Sequence, residues 1–139
     1  MGSYKHIEHL VGEYIARNYS RAVEAGVGRN TVAAEIVHTA GALMRCTDIR
    51  KDIPETTVPI SRDDLFEPDL LLYQGADVIY AIRPAAEMVP PLMEIAHAVN
   101  ADLIVYHLGF EMYGDGGERI DCGVILHRYV TRSEPVKEG

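Results

Sequence analysis

The run Arg21-Ala-Val-Glu-Ala-Gly-Val-Gly-Arg-Asn30 constrains the fold more than any other part of this chain. A short strand-like stretch, Arg21 to Ala25, passes directly into two glycines one residue apart. The apolar stripe of a helix follows at Val32, Ala33, Ile36, Val37 and Ala40. Strand, glycine turn and helix in that order open a β-α-β unit, in which the helix returns the chain so that the next strand can lie parallel to the first. Glycine after a strand lets the backbone approach a ligand with no Cβ in the way, and the free N–H groups of the next helix favour negative charge. Asn30 or Thr31 caps this helix and Gly41 ends it.

The alternation continues along the chain. Tyr4, Ile7, Leu10, Val11, Tyr14 and Ile15 form the stripe of an amphipathic N-terminal helix over about residues 3–17, with Ser3 as N-cap and Lys5, Glu8, Glu13 and Arg17 in the polar intervals. Ala42 to Thr47 is a second strand, closing on Asp48. A polar connection leads to a short edge strand at Val58 to Ile60. Leu70 to Tyr73 reads as a buried turn of helix, Asp77 to Ile82 as a central strand, and Met88 to Val99 as a helix whose start Pro90 and Pro91 restrict. Leu103 to Leu108 is the next strand, Gly114 to Gly117 a turn, Gly123 to Val130 the final strand, and 131–139 a polar tail. The expected fold class is α/β: one Rossmann-like domain over 1–139, a three-layer α/β/α sandwich with a mostly parallel sheet.

Composition removes several function classes. At 139 residues, 47% hydrophobic and 24% charged, the chain is an ordinary globular domain. A net charge of −8 excludes a broad nucleic-acid surface, which needs clustered Lys and Arg. No apolar run is long enough to span a bilayer, and no signal-peptide pattern opens the chain. Cys46 and Cys122 form no CxxC pair and read as reduced core residues, so the expected location is cytoplasmic. His6 and His9 share a helix face without a third ligand, and no metal site is expected.

A dinucleotide fingerprint, G-x-G-x-x-G, places its last glycine at position 31, where Thr31 stands. An acidic-x-G-x-G-x-G loop fits better: Glu24, Gly26 and Gly28 match, and Asn30 replaces the last glycine. Asp48 follows at about the 20-residue interval from which a carboxylate reaches ribose hydroxyls.

With Thr47-Asp-Ile49, Arg62-Asp-Asp-Leu-Phe66, Asp77-Val-Ile-Tyr-Ala-Ile-Arg-Pro84 and the Ala101-Asp-Leu-Ile-Val105 strand, this loop resembles a small uncharacterised archaeal family with a truncated class I methyltransferase-like fold. The resemblance implies S-adenosylmethionine as cofactor. Glu24 would serve its methionine end, Gly26 and Gly28 the close approach, Asp48 the ribose, and Asp63 or Asp64 the adenine. Asn30 puts a side chain where the third glycine often sits. Arg83 stands where many such enzymes carry an Asn/Asp-Pro-Pro motif, and suits an anionic ligand or partner. His107, at the end of the fifth strand near Tyr106 and Glu111, is the general-base candidate, with a structural histidine as the other reading.

Asp63 also reads as an Asx-type cap and Asp77 as a structural turn residue. About 30 residues follow the fifth strand, too few for substrate-recognition elements and a complete seven-stranded sheet. The expectation is therefore a homodimer or partner subunit that supplies a substrate pocket, joined through the N-terminal helix or an open sheet edge. Three functions stay open: an S-adenosylmethionine-binding methyltransferase-like protein, a non-catalytic interaction or regulatory module, and a dinucleotide-binding protein.

Overall fold

Successive strand residues divide between two faces of one sheet, and each face carries its own helices. The computed structural model describes residues 4–52 and 56–134, apart from the side chains of residues 4 and 5. The Ser3 cap, residues 53–55 of the polar connection and the end of the tail from residue 135 lie outside the described residues. In chain order the elements are α1 (Tyr4–Asn18), β1 (Ala22–Ala25), α2 (Val32–Thr39), β2 (Leu43–Asp48), β3 (Ile60–Arg62), β4 (Val78–Ile82), α3 (Val89–Val99), β5 (Asp102–Tyr106), β6 (Glu118–Asp121) and β7 (Ile125–Val130). The sheet order is β3-β2-β1-β4-β5-β7-β6. Strands β1 to β5 pair in parallel, while β7 runs antiparallel to both β5 and β6.

Alternation of side chains along each strand builds the layers. Ala22, Val78, Tyr80, Ile104 and Leu126 point to one face, where Val11 and Ile15 of α1 and Ala33 and Val37 of α2 cover them. Val23, Ala25, Ile79, Ala81, Leu103 and Val105 point to the other, against Leu92, Ile95 and Ala96 of α3. The expected three-layer sandwich is the observed one. Helices α1 and α2 meet at Gly12, where an added Cβ would lie 3.0 Å from both Cα and O of Ala33. A side chain there would fit only if the α2 backbone gave by a few tenths of an ångström. The apolar stripe of α1 is thus used inside the domain, through Val11 and Ile15.

The expectation of an incomplete sheet is corrected: seven strands are present. The strand that periodicity misses is β6, whose Glu118-Arg-Ile-Asp121 has one apolar residue and lies at an edge. It forms because Cys122–Val124 closes a tight hairpin, with Asp121 accepting the Gly123 N–H at 2.9 Å and Cys122 N–H bonded to Val124 O at 3.0 Å. The economy is in helices. Among the described residues the β3–β4 connection carries only a 3₁₀ turn at Leu70–Leu72, and the β5–β6 connection carries no helix. The Leu70–Leu72 turn is not the buried turn expected: Leu70 and Leu71 are exposed, and Tyr73 beside them is buried. Strand β3 also lies two residues later than its apolar run, at Ile60–Arg62.

Pro90 and Pro91 sit in the first turn of α3, where their missing N–H groups cost nothing. Asp77 has the structural role expected, accepting the N–H groups of Ser20 at 2.8 Å and Arg21 at 3.0 Å. No helix among the described residues is long and apolar enough to cross a membrane.

Candidate functional site

In an open parallel sheet, ligands settle beyond the carboxyl ends of strands where the strand order reverses. Here that point lies between β1, which runs back to β2 and β3, and β4, which starts the run to β5. The glycine loop leaves β1 with Gly26 at φ +65° and Gly28 at φ +62°, a backbone that L side chains rarely adopt. The N–H groups of Gly26 and Val27 both bond to Thr47 O, at 2.8 and 3.1 Å, which pins the loop to the end of β2.

Asp48 adds a second clip. Its Oδ2 accepts the Gly28 N–H at 2.7 Å, and its Oδ1 accepts Arg50 N–H at 3.0 Å and Arg50 Nε at 3.2 Å. Arg50 Nη2 closes the ring by donating to Gly28 O at 2.7 Å. Burial works to raise the Asp48 pKa. It is outweighed by the N–H groups of Arg50 and Gly28 and by the Arg50 guanidinium, and the carboxyl is held below its usual value. Asn30 turns its side chain to the helix, with Oδ1 accepting the Val32 N–H at 3.1 Å. Of the two cap candidates Asn30 does the bonding, and Thr31 makes no side-chain cap bond.

These clips frame a cavity of about 250 Å³ at the carboxyl ends of β1, β2 and β3. Gly26, Thr47 and Asp48 form its base, Asp63 and Asp64 one wall, and Ile49, Leu65, Phe66 and Met88 its apolar lining. Ile49 and Phe66 are exposed large apolar residues at this site. Both wall carboxylates also have structural partners. Asp63 accepts the Asp69 N–H at 2.9 Å and the Tyr73 hydroxyl at 2.6 Å, while Asp64 accepts the Phe66 N–H at 3.0 Å. The expected Asx-type cap at Asp63 is corrected: no helix starts at Leu65, and it is Asp64 that bonds the N–H two residues on, while Asp63 reaches across its loop to Asp69 and Tyr73 from its place on the cavity wall.

Gly26, Asp48, Asp63 and Asp64 are thus gathered around one cavity, with Gly28 and Asn30 in the loop behind it. Glu24 is not. Its neighbours Val23 and Ala25 face α3, so Glu24 points to the opposite face, toward α1 and α2. It is buried, and neither its Oε1 nor the hydroxyl of Tyr80, which faces it, has a hydrogen-bond partner in good geometry. Burial pushes the Glu24 carboxyl up to about 8; Tyr80 opposes that rise and the nearby Glu8 adds to it.

Arg83 also lies off the cavity. It is held at φ +56° at the end of β4, pairs with buried Glu8 of α1 at 2.7 Å, and sits 5.5 Å from the centre of the Tyr106 ring. Glu8 was expected on the solvated side of its helix. The sequence carries no local sign of a partner 75 residues away.

His107 belongs to a separate cluster. Its Nε2 lies 2.5 Å from the Tyr129 hydroxyl, which itself accepts the Tyr113 N–H at 2.9 Å. Nε2 and the Tyr129 hydroxyl share one hydrogen bond, and Nδ1 is buried with no hydrogen-bond partner among the described residues. Burial, then the adjacent His127, lower the His107 pKa against an opposing pull from Glu111. It is a neutral, structurally engaged imidazole at neutral pH, in line with the structural reading. His9 pairs with Glu13 at 2.8 Å on the surface, and no group of three or more metal-ligating side chains occurs among the described residues.

Sequence reasoning missed Arg50, Thr47, Leu65, Phe66 and Met88. Only Arg50 left a signal, as a cation two residues beyond the predicted ribose carboxylate.

The profile of "Uncharacterised protein family (UPF0146)" matches residues 8–120. A UPF0146 protein of Archaeoglobus fulgidus is 34% identical over 106 residues, covering 76% of this chain and 78% of the relative. One from Pyrococcus horikoshii is 34% identical over 129 residues, covering 86% and 90%. Among solved structures, a SAM dependent methyltransferase from Archaeoglobus fulgidus superposes with TM-score 0.56 at 17% identity, covering 75% of this chain and 52% of its own. A sugar N-methyltransferase from a Streptoalloteichus species gives TM-score 0.50 at 14% identity, covering 84% and 53%. The fold is methyltransferase-like, and the chain spans about half the length of those two enzymes.

Proposed function

This chain belongs to the UPF0146 family, and from that premise, its methyltransferase-like fold and its cavity we propose that it is an S-adenosylmethionine-binding protein with methyltransferase-like function. The observation that carries the proposal is the meeting of Gly26, Asp48, Asp63 and Asp64 with an apolar lining in one cavity at the strand-order switch. Its volume of about 250 Å³ is below the roughly 300–1,000 Å³ of drug-sized sites, which suits a nucleoside better than a whole dinucleotide.

The residues present fit the group. Asp63 and Asp64 offer acceptors to an adenine amine, and Asp48, which already accepts from the Gly28 and Arg50 N–H groups and from Arg50 Nε, keeps one acceptor site on Oδ2 for a ribose hydroxyl. Gly26 leaves open space where a Cβ would stand. Glu24 does not line this cavity, so the methionine end would have to be held by the loop backbone at Gly26 rather than by that carboxyl. When bound, S-adenosylmethionine supplies a methyl group already activated by its sulfonium, so the work left to the protein is alignment and exclusion of water. The Asp48–Arg50–Gly28 clip pre-sets the loop for that task.

A second reading, a non-catalytic module on the same fold, is favoured by the position of Glu24, the acidic residue of the glycine motif, off the cavity. Calorimetric titration with S-adenosylhomocysteine, with NAD as control, separates the readings. The expected result is saturable binding of the first alone, lost in Gly26→Val, whose side chain would both strain the loop and enter the cavity. Absence of S-adenosylhomocysteine binding by the folded wild-type protein overturns the proposal, and NAD binding would point to the dinucleotide reading.

A further inference from the structure

The β5–β6 connection, residues 107–117, does the work of a crossover without a helix to cover the sheet beside it. What it leaves is a set of exposed apolar side chains: Leu108, Phe110, Met112 and Tyr113 in the loop, and Ile125 at the start of β7. Phe110 is fully exposed. Contiguous apolar surface of this kind marks an interaction site, whereas single scattered apolar residues do not. A groove of about 470 Å³ runs between the loop and the β6–β7 hairpin, with Phe110 and Met112 on one side and Arg119, Ile125 and His127 on the other.

We propose that this groove is a two-fold interface between two copies of the chain. Closed dimers use the same patch on both subunits, so the patch must be complementary to itself. This one is. Phe110 is both a lip of the groove and a projecting knob, so a two-fold axis beside it places each Phe110 in the groove of the other copy. Glu111 and Arg119 lie on opposite sides of the groove, both are exposed, and neither has an ion-pair partner among the described residues. The same axis sets Glu111 of one copy against the partner's Arg119, and that charge complementarity selects a second copy as the occupant. An anionic lipid surface is disfavoured because the groove offers one guanidinium, Arg119, beside the Glu111 carboxylate rather than a basic cluster. The loop follows β5, so the partner would stand at the same carboxyl edge of the sheet as the Gly26–Asp48 cavity, on its far side.

The test is sedimentation velocity and light scattering on the full chain at micromolar concentration. The wild type should be a dimer. Phe110→Asp should weaken self-association at least tenfold, and so should Arg119→Glu. Combining Glu111→Arg with Arg119→Glu should restore it, because both charges are exchanged at once. Far-UV circular dichroism of each variant verifies folding; all three positions are exposed, so the charge exchange stays readable even if Phe110→Asp fails to fold. A monomeric wild type overturns the proposal. So does a dimer that neither Phe110→Asp nor Arg119→Glu weakens, or one that the double exchange fails to restore.

Discussion

Replacing Glu24 by glutamine should make the protein more stable in mild alkali, by an amount that grows with pH. The carboxyl is buried, Oε1 has no partner, and its folded pKa is about 8 against an ordinary 4.5, chiefly because burial penalises the charge. The groups facing it are Tyr80 and Cys46 from the neighbouring strands and Glu8 from α1, with Arg83 already paired to Glu8. A carboxyl whose pKa is raised on folding binds its proton more tightly in the native state. Its penalty is absent below about pH 4.5, grows by about 1.4 kcal/mol per pH unit above that, and levels off above about pH 8. Between about pH 5 and pH 9 the wild type should therefore lose about 4 kcal/mol relative to Glu24→Gln, whose amide matches the neutral acid in shape and does not titrate. That is a large share of the roughly 5–15 kcal/mol that holds a domain folded. Urea unfolding of both proteins across that pH range, read by circular dichroism, gives the difference directly, and contributions common to both cancel. A difference that stays flat within about 1 kcal/mol would refute the assignment of Glu24 as a buried neutral acid.

Other outcomes follow from single contacts. Asp48→Ala should cost about 1.5–3 kcal/mol in denaturant unfolding at neutral pH, since it strips a charged acceptor from Gly28 and Arg50. The Asp48 pKa is lowered on folding, so its stabilisation is present above the unfolded value near 3.8 and is lost as pH falls through the lower folded value. Wild type and Asp48→Ala should therefore converge in stability in acid, and a constant gap down to about pH 2 would contradict the clip. Gly12→Ala should cost about 1–3 kcal/mol by forcing α1 away from Ala33, with a lower urea midpoint and an unchanged slope. An unaltered midpoint would mean that α1 yields freely.

Much of the fold was legible because the layers rest on local patterns. Val32, Ala33, Val37 and the run Val78 to Ile82 carry their periodicity openly, and the class followed. Strand β6 was not legible, because it is an edge strand with no fully buried residue and a single apolar side chain, so it has little pattern to show. Of the site, Gly26, Asp48, Asp63 and Asp64 were found from motif and spacing, since strand ends in a parallel sheet gather at one edge. The orientation of Glu24 was not found from the motif: adjacent strand residues face opposite layers, and motif spacing does not register that parity. The Glu8–Arg83 pair joins distant segments, and a helix wheel read alone makes Glu8 a surface residue. Nor could Leu65 and Phe66 be assigned to the cavity, because their loop is positioned by Asp63 and Tyr73 rather than by any repeating pattern.

The order of the sheet also sets a timetable for synthesis. Strand β1 lies between β2 and β4, and β4 ends only at Ile82. At about 5–20 residues per second, roughly 3 to 11 s separate the emergence of Ala25 from that of Ile82. During that interval β2 can pair with β1, but the other edge of β1 presents bare N–H and C=O groups to any passing strand. Helix α1 is made first, and its seat against α2 at Gly12 and Ala33 is complete well before β4 emerges. A nascent chain that lost that seat would be expected to aggregate on the ribosome before it lost stability in the test tube.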